Sequence, residues 1–317
     1  MRRVSIKQLR IVTAVAQTGK IAGAADVLGV TPPAVTLQLQ LLEEAVGLPL
    51  FERARDGMRL TDAGQFLLHA ARRVERALQE CGEAVNALKE IGGGRVTVGL
   101  VSTAKYFAPR ALASFAVAHP NIEMQLSIGN RERTLAALGD LELDLAVTGY
   151  PPDDMAFEKR IIGDHPHIII ASPDHPLTAQ GRLNLEQVAR EVFLVREAGS
   201  GTRRLMERLF AGADITPRIG MEIDSNETIK QAVMAGLGIA VISAHTVAAE
   251  LKESRLAVLD VRGLPIIRKW YVVRHIEKRL MPAARAMWDF LVSDGKRFLP
   301  ASATFPIAKR KRRPATR

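Results

Sequence analysis

A chain of 317 residues with 47% hydrophobic and 25% charged content has the size of about two soluble globular domains. Its single cysteine excludes an intrachain disulfide framework, and no run of 18 apolar residues offers a membrane span. The start, Met1-Arg-Arg-Val-Ser-Ile-Lys7, lacks the apolar centre of a secretory signal, so a cytoplasmic protein with no membrane partner is expected. The net charge of +10 belongs mostly to one end, because eight basic residues and no acidic one lie between Lys296 and Arg317. Residues 301–317 read as a disordered basic tail, able to add salt-sensitive affinity for nucleic acid to a nearly neutral fold.

Residues 1–60 divide into three short helices and a hairpin. A first helix over 5–17 turns Leu9, Val12 and Ala16 inward. A second puts Ala24, Ala25 and Leu28 on one face, and Gly29 permits a sharp turn after it. Thr31 stands where a cap is needed for the third helix, and Pro32 and Pro33 suit its first turn. Helix, glycine turn and helix form the unit that sets its second helix into a DNA major groove. Thr31, Pro32, Pro33, Thr36 and Gln40 are the candidate reading residues. Glutamine pairs with adenine, and methyl groups pack on thymine. No Lys or Arg lies between Thr31 and Val46, so this helix lacks the arginine–guanine contact. Arg53 and Arg55 near the hairpin tip, with Arg2, Arg3, Lys7 and Arg10, supply charge for phosphate or a narrow minor groove. Exposed polar filler is the plainer reading of Thr36 and Gln40.

From residue 61 to 91 a helix without proline carries Leu67, Val74, Cys81 and Leu88 at seven-residue intervals, with Ala70, Ala77 and Ala84 offset by three. That seam suits pairing with a second copy of itself and buries Cys81 there. Ile91-Gly-Gly-Gly-Arg95 breaks the helix. Strand-like runs then begin at Arg95 and recur at 124–128, 143–148, 167–171, 192–195, 219–223, 239–243, 256–261 and 269–273. Helical stretches such as 109–119, 202–211 and 226–235 lie between them. This alternation predicts an α/β region with largely parallel sheets.

Ligands of such sheets gather at strand C-termini and helix N-termini, where open amides favour anions. Four segments qualify: Ser102, Thr103 and Lys105 after the first strand; Thr148 with Gly149; Arg196 to Arg204, including Ser200, Gly201, Thr202 and Arg203; and the helix opening at Asn226. Hydroxyls, glycines and cations together suit a phosphate or carboxylate. Each segment taken alone is also an ordinary helix cap, and Arg203 and Arg204 could be surface ion pairs. No dinucleotide fingerprint or nucleophile elbow is present. His165, His167 and His175 lack metal-ligand spacing, so no metal, no resident cofactor and no enzymatic activity are expected.

Ala22-Gly-Ala-Ala-Asp-Val-Leu28, Pro33-Ala-Val-Thr36, Leu42-Glu-Glu44, Gly47-Leu-Pro-Leu-Phe-Glu-Arg53 and Arg59-Leu-Thr-Asp-Ala-Gly64 resemble the winged helix-turn-helix of the LysR-type transcriptional regulators. The resemblance runs on to about Pro300. It departs from the family at Pro32, where most members carry glutamine, and at Leu37, where many carry arginine. Thr31 to Gln38 and Val101 to Pro109 are most similar to the CbbR group, which regulates RuBisCO and carbon-fixation operons.

The resemblance implies a winged helix-turn-helix (1–60), a linker and dimerisation helix (61–91) and two periplasmic-binding-protein-like subdomains (95–163 with 268–300, and 164–267). The chain would cross between them near 162–164 and 265–269. It implies a homo-oligomer, dimer or tetramer, on double-stranded operator DNA, acting as an activator in the bacterial nucleoid, with RNA polymerase as a further partner. A small-molecule effector (a phosphorylated sugar, a glycolytic acid or NADPH) would sit between the subdomains. The alternatives are a LysR-type regulator of another operon with a carboxylate effector and, from another class, a solute-binding protein of a transport system.

Overall fold

The computed structural model describes residues 4–54, 57–87 and 93–300. These form two compact units, one of the residues through the long helix α4 together with 140–142, and one of the remaining residues from strand β3 onward.

The first unit is built from α1 (Ile6–Thr18), α2 (Ile21–Leu28), α3 (Pro32–Val46), the hairpin β1 (Phe51–Ala54) and β2 (Gly57–Leu60), and α4 (Asp62–Ala87). Ser5 and Gln8 start α1 with a reciprocal cap: Gln8 N donates to Ser5 Oγ and Ser5 N to Gln8 Oε1. Gly19, Gly29 and Gly47 end the three helices in the left-handed region. Val12, Val15, Ala24, Val35, Leu42 and Leu50 are fully buried together, with Leu67 and Leu68 of α4 closing the cluster. A Cβ at Gly64 would lie 2.0 Å from the Leu50 carbonyl oxygen, so the approach of the hairpin to α4 requires glycine there.

Thr31 does not cap α3 with its side chain. Pro32 and Pro33 have no N–H to donate, and Ala34 N bonds the Thr31 carbonyl at 3.0 Å instead. On α4, Leu67 is buried, while Val74, Leu78, Cys81 and Val85 are exposed within the single chain. With Ala71 they follow alternating steps of four and three. The row at 67, 74 and 81 is thus accompanied by Ala71, Leu78 and Val85 rather than by the alanines at 70, 77 and 84 read from the sequence; the row's last member, Leu88, lies outside the described residues.

The second unit contains β3 (Gly94–Val101), α5 (Ala108–Ala118), β4 (Ile122–Gly129), α6 (Arg131–Gly139), β5 (Leu145–Thr148), β6 (Phe157–Ala171), α7 (Leu185–Ala189), β7 (Val192–Arg196), α8 (Gly201–Ala211), β8 (Arg218–Ile223), α9 (Asn226–Met234), β9 (Ala240–Ser243), α10 (Ala248–Lys252), β10 (Ala257–Val258), β11 (Ile266–His275) and α11 (Pro282–Asp294). In the first subdomain β3 lies between β4 and β5, parallel to both, and β11 runs antiparallel beside β5. Val98, Phe115, Leu145, Trp270 and Met287 fill its core, under α5 and α11. In the second subdomain β6 pairs antiparallel with β9 and β10, and β7 pairs parallel with β8. Ile168 and Ile170 face one core while Ile169 and Ala171 face another, so this stretch of β6 is buried on both sides.

The two crossings are long strands rather than loops. β6 and β11 pair antiparallel from Phe157↔His275 to His167↔Ile266, and the ladder slips at Ile162, opposite Trp270 and Tyr271. This corrects the expectation of largely parallel sheets and of a strand confined to 167–171. Gly163, Pro166 and the charges at 158–160 and 164 disguise the first half of β6. Pro166 is tolerated because β9 pairs only from His167 onward, so one edge of β6 is open at the proline. The strand expected over 256–261 shrinks to β10.

Candidate functional site

The outer face of α3 exposes Thr31, Pro32, Pro33, Thr36 and Gln40, and also Leu37, 53% exposed. Val35, Leu39 and Leu42 face the core, which fixes the helix's rotation. Thr36 Oγ1 donates to the Pro32 carbonyl at 3.1 Å. Its proton is thus committed to its own helix, and the side chain presents a methyl group and a lone pair outward. Glu43 Oε1 accepts from Leu50 N at 2.7 Å, tying α3 to the hairpin. Arg53 is exposed on β1; Arg55 lies outside the described residues. Arg10 forms an exposed ion pair with Glu75, at 3.0 Å through Nε and 2.8 Å through Nη2.

In the second unit, the turn after β3, the end of β5, the start of α8 and the two crossing strands enclose a cleft of about 370 Å³. Ser102, Thr103, Thr148, Ser200, Gly201 and Thr202 line it. Ser200 precedes α8, but its hydroxyl makes no capping bond. Thr148 is fully buried at the end of β5, and its Oγ1 has no hydrogen-bond partner among the described residues. Plain capping therefore does not account for the hydroxyls of Thr148 and Ser200. Asn226 stands just behind the lining, where its Oδ1 accepts from Arg196 Nη1 at 2.5 Å.

Two expected members are elsewhere. Arg203 is held by Glu207 and Glu222, each at 2.7 Å, and by the Arg196 carbonyl. Lys105 does not line the cleft; its Nζ lies 5.3 Å from the Tyr106 ring centroid.

The cations at the cleft are Arg131, Arg196 and Arg268. Arg196 is buried and bridges the subdomains through Ser102 Oγ at 3.2 Å, while Glu197 neutralises it. Arg131 and Arg268 make no ion pair among the described residues. Arg131 Nε donates to the Tyr150 carbonyl at 2.8 Å, and Arg268 Nη1 to the Gly201 carbonyl at 3.2 Å. Arg268 and Arg208 stack on the Tyr150 ring, 4.6 and 5.1 Å from its centroid. Burial, then repulsion from Arg208 and Arg131, pushes the Arg268 guanidinium down to about 10. Burial and the like charges of Arg204 and Arg208 lower Arg131 too. Positive charge is crowded at this mouth.

The opposite wall is histidine. His165 stacks on Trp270 at 3.8 Å and lies 4.2 Å from His167, ring to ring. A Cβ at Gly149 would sit 2.6 Å from His165 Nδ1, so only glycine lets that ring approach β5. Burial holds His165 well below its ordinary value, and burial with the nearby Arg268 brings His167 down to about 3. Both rings are neutral; His167 Nδ1 donates to the His165 carbonyl at 3.1 Å, while neither nitrogen of His165 has a partner among the described residues. No group of metal-holding side chains occurs among the described residues.

Sequence reasoning missed Asn130, Arg131, Tyr150 and Arg268, and set the histidines aside. Strand alternation was the available signal for the latter, since residues 165 and 167 share a face of β6. Asn130 was legible as a cap after a strand, and it accepts from Arg133 N at 3.0 Å.

Comparison with known proteins adds a second line. Residues 6–65 match the bacterial regulatory helix-turn-helix protein model of the lysR family, and residues 90–296 match the LysR substrate binding domain. The HTH-type transcriptional regulator CbbR of Xanthobacter flavus is 54% identical over 299 residues, covering 93% of this chain and 90% of that protein. The regulatory domain of Synechocystis PCC6803 CcmR, solved in complex with 2-PG, is 36% identical with a TM-score of 0.60, covering 62% of this chain and 95% of that one. Full-length CbnR complexed with its target DNA shares the fold at 23% identity and a TM-score of 0.65, covering 90% of this chain and 98% of that one. A helix-turn-helix at residues 6–65 followed by a LysR substrate binding domain at 90–296, with 54% identity to a LysR-type regulator over most of both chains, makes this chain a member of the LysR family of DNA-binding transcriptional regulators.

Proposed function

We propose that this regulator controls a carbon-fixation operon, as the names of its relatives suggest, and responds to a small phosphorylated metabolite bound between its subdomains. The cleft supports the reading through one observation above the others: Arg131 and Arg268 face it without carboxylate partners among the described residues, beside a Thr148 hydroxyl likewise without one. Desolvated guanidiniums are best satisfied by a phosphate or carboxylate, which they bind in bidentate fashion. Ser102, Thr103, Ser200 and Thr202 would hold the ligand's remaining oxygens, and Asn226 would act through Arg196.

The head would read its operator through Gln40 and the methyl-bearing surface of Thr36 and Leu37, with Arg53 on phosphate. The exposed stripe of α4 would join two copies, so that a pseudo-palindromic site meets two heads. Effector binding shifts the subdomain arrangement only by its differential affinity for the two states.

Thermal unfolding of the full chain against a panel of metabolites tests the effector class. A true effector at ~100 times its dissociation constant adds about 2.7 kcal/mol. Stabilisation by 2-PG or a sugar phosphate, but not by the matching uncharged compound, is the expected result. Equal response to both would overturn an anion cleft.

A further inference from the structure

Behind the crossing strands the molecule has a second and larger recess. Ile162, Asp164 and Lys269 of the crossings, His245 of the turn after β9, and Val292 and Lys296 from α11 and the turn that follows it are among its walls, around about 1090 Å³ of open space. It belongs to neither subdomain alone: His245 comes from the second, Lys296 from the end of the first.

His245 is the informative group. Its side chain is buried, at 3% exposure. Trp270 Nε1, which can only donate, points at His245 Nδ1 at 3.1 Å. Nδ1 is therefore the acceptor, and the proton of the neutral ring is on Nε2. That N–H has no partner among the described residues. Phe107 and Trp270 pack around the ring and fix its aim. A buried donor without an acceptor is costly, so an acceptor reaching Nε2 would be bound with advantage.

The surrounding charge says which acceptor. Asp164 is paired with Lys269. Lys296 is exposed, and no ion pair holds it among the described residues. The recess thus offers one uncompensated cation, one buried N–H donor and an apolar wall. We propose that it is a second anion site, at the hinge, taking a small carboxylate or phosphate group. One oxygen of that group accepts from His245 Nε2, and its charge is met by Lys296 and Lys269. Because the ligand touches both subdomains at the crossing strands, occupancy favours one hinge arrangement. His165 lines the effector cleft and His245 the recess, and the two sites share no lining residue, so each can be altered without touching the other's contacts.

The test is equilibrium dialysis of the full chain against radiolabelled inorganic phosphate. Wild type should bind two equivalents. Lys296→Glu should lose one, and Lys296→Gln should weaken it about fivefold, the scale of one exposed charge contact. Arg131→Gln should weaken the other equivalent and leave the first alone. Lys296 is on the surface, so these variants should keep the wild-type circular dichroism and unfolding midpoint. A second readout is the Nε2 resonance of His245 in protein labelled with ¹⁵N-histidine: phosphate should move it in Arg131→Gln and not in Lys296→Glu. A single equivalent untouched by Lys296→Glu, or an unmoved His245 resonance, overturns the hinge site while leaving the effector cleft standing. Loss of the Arg131-dependent equivalent alone would fault the cleft and not the hinge.

Discussion

The outer face of α3 and the cleft of the α/β unit solve recognition in opposite ways. Between Thr31 and Val46 the helix has no cation, its Thr36 hydroxyl is bonded to its own backbone, and it exposes proline, leucine and methyl groups around one amide, Gln40. The cleft crowds guanidiniums around Tyr150, leaves Thr148 Oγ1 without a partner, and walls itself with neutral histidine. One surface suits a groove whose sequence is written in methyl groups and amide-sized hydrogen-bond pairs. The other suits a compact anion removed from water. On the proposed reading, charge for DNA comes from outside α3, so affinity and sequence preference would be carried by different residues.

The sharpest break in this contrast is at Arg268. Arg268→Gln removes the charge but keeps a donor toward the Gly201 carbonyl. Losing a charged hydrogen bond costs about 1.5–3 kcal/mol, so the effector should bind roughly 10- to 100-fold more weakly. Operator binding without effector should be unchanged, measured by titration of labelled DNA. Wild-type effector affinity in the variant would remove charge from the account of the cleft.

Acid separates the two regions next. His167 and His245 are held neutral, pushed down to about 3 and about 4, mainly by burial. An unfolded histidine titrates near 6.5, so between that value and the folded one the unfolded chain binds more protons. The stability these rings contribute is complete above about pH 6.5 and is lost as pH falls toward 4. The unfolding midpoint of the α/β unit should drop between pH 7.5 and 5, and less steeply in His167→Gln. A flat midpoint over that range would contradict neutral burial.

How much of this contrast the sequence revealed follows from range. The head is local: the Ser5–Gln8 cap, the glycines at 19, 29 and 47 and the core spacing of α3 act within a few residues, so its helices could be read in order. The hydroxyls at 102, 148, 200 and 202 follow from a general rule about strand ends. Arg131, Tyr150 and Arg268 obey no such rule. The long antiparallel pairing of β6 with β11 builds their neighbourhood, and Gly163, Pro166 and the mixed charges of 158–164 hide that pairing. Lys105 and Arg203 were attractive as cations, yet composition cannot show that Glu207 and Glu222 already hold Arg203.

Two threonines give the finest test, because the same substitution should have opposite results. Thr202 is buried on the cleft, where its hydroxyl faces the proposed ligand. Thr202→Val keeps the volume and removes the oxygen, so the effector should weaken by about 1 kcal/mol, roughly fivefold. Thr36 is exposed, and its proton bonds the Pro32 carbonyl. Thr36→Val gives up that bond within the helix but keeps a methyl toward the groove, and valine's helix propensity is close to threonine's. Operator affinity should therefore stay within about twofold of wild type. Thr36→Ser, which keeps the hydroxyl and loses the methyl, should do more harm than Thr36→Val. The pair can be scored on duplexes carrying uracil in place of thymine, which removes the base's methyl alone. If Thr36→Val were the damaging change and Thr36→Ser the silent one, α3 would read DNA through its hydroxyl after all, and the contrast with the cleft would fail.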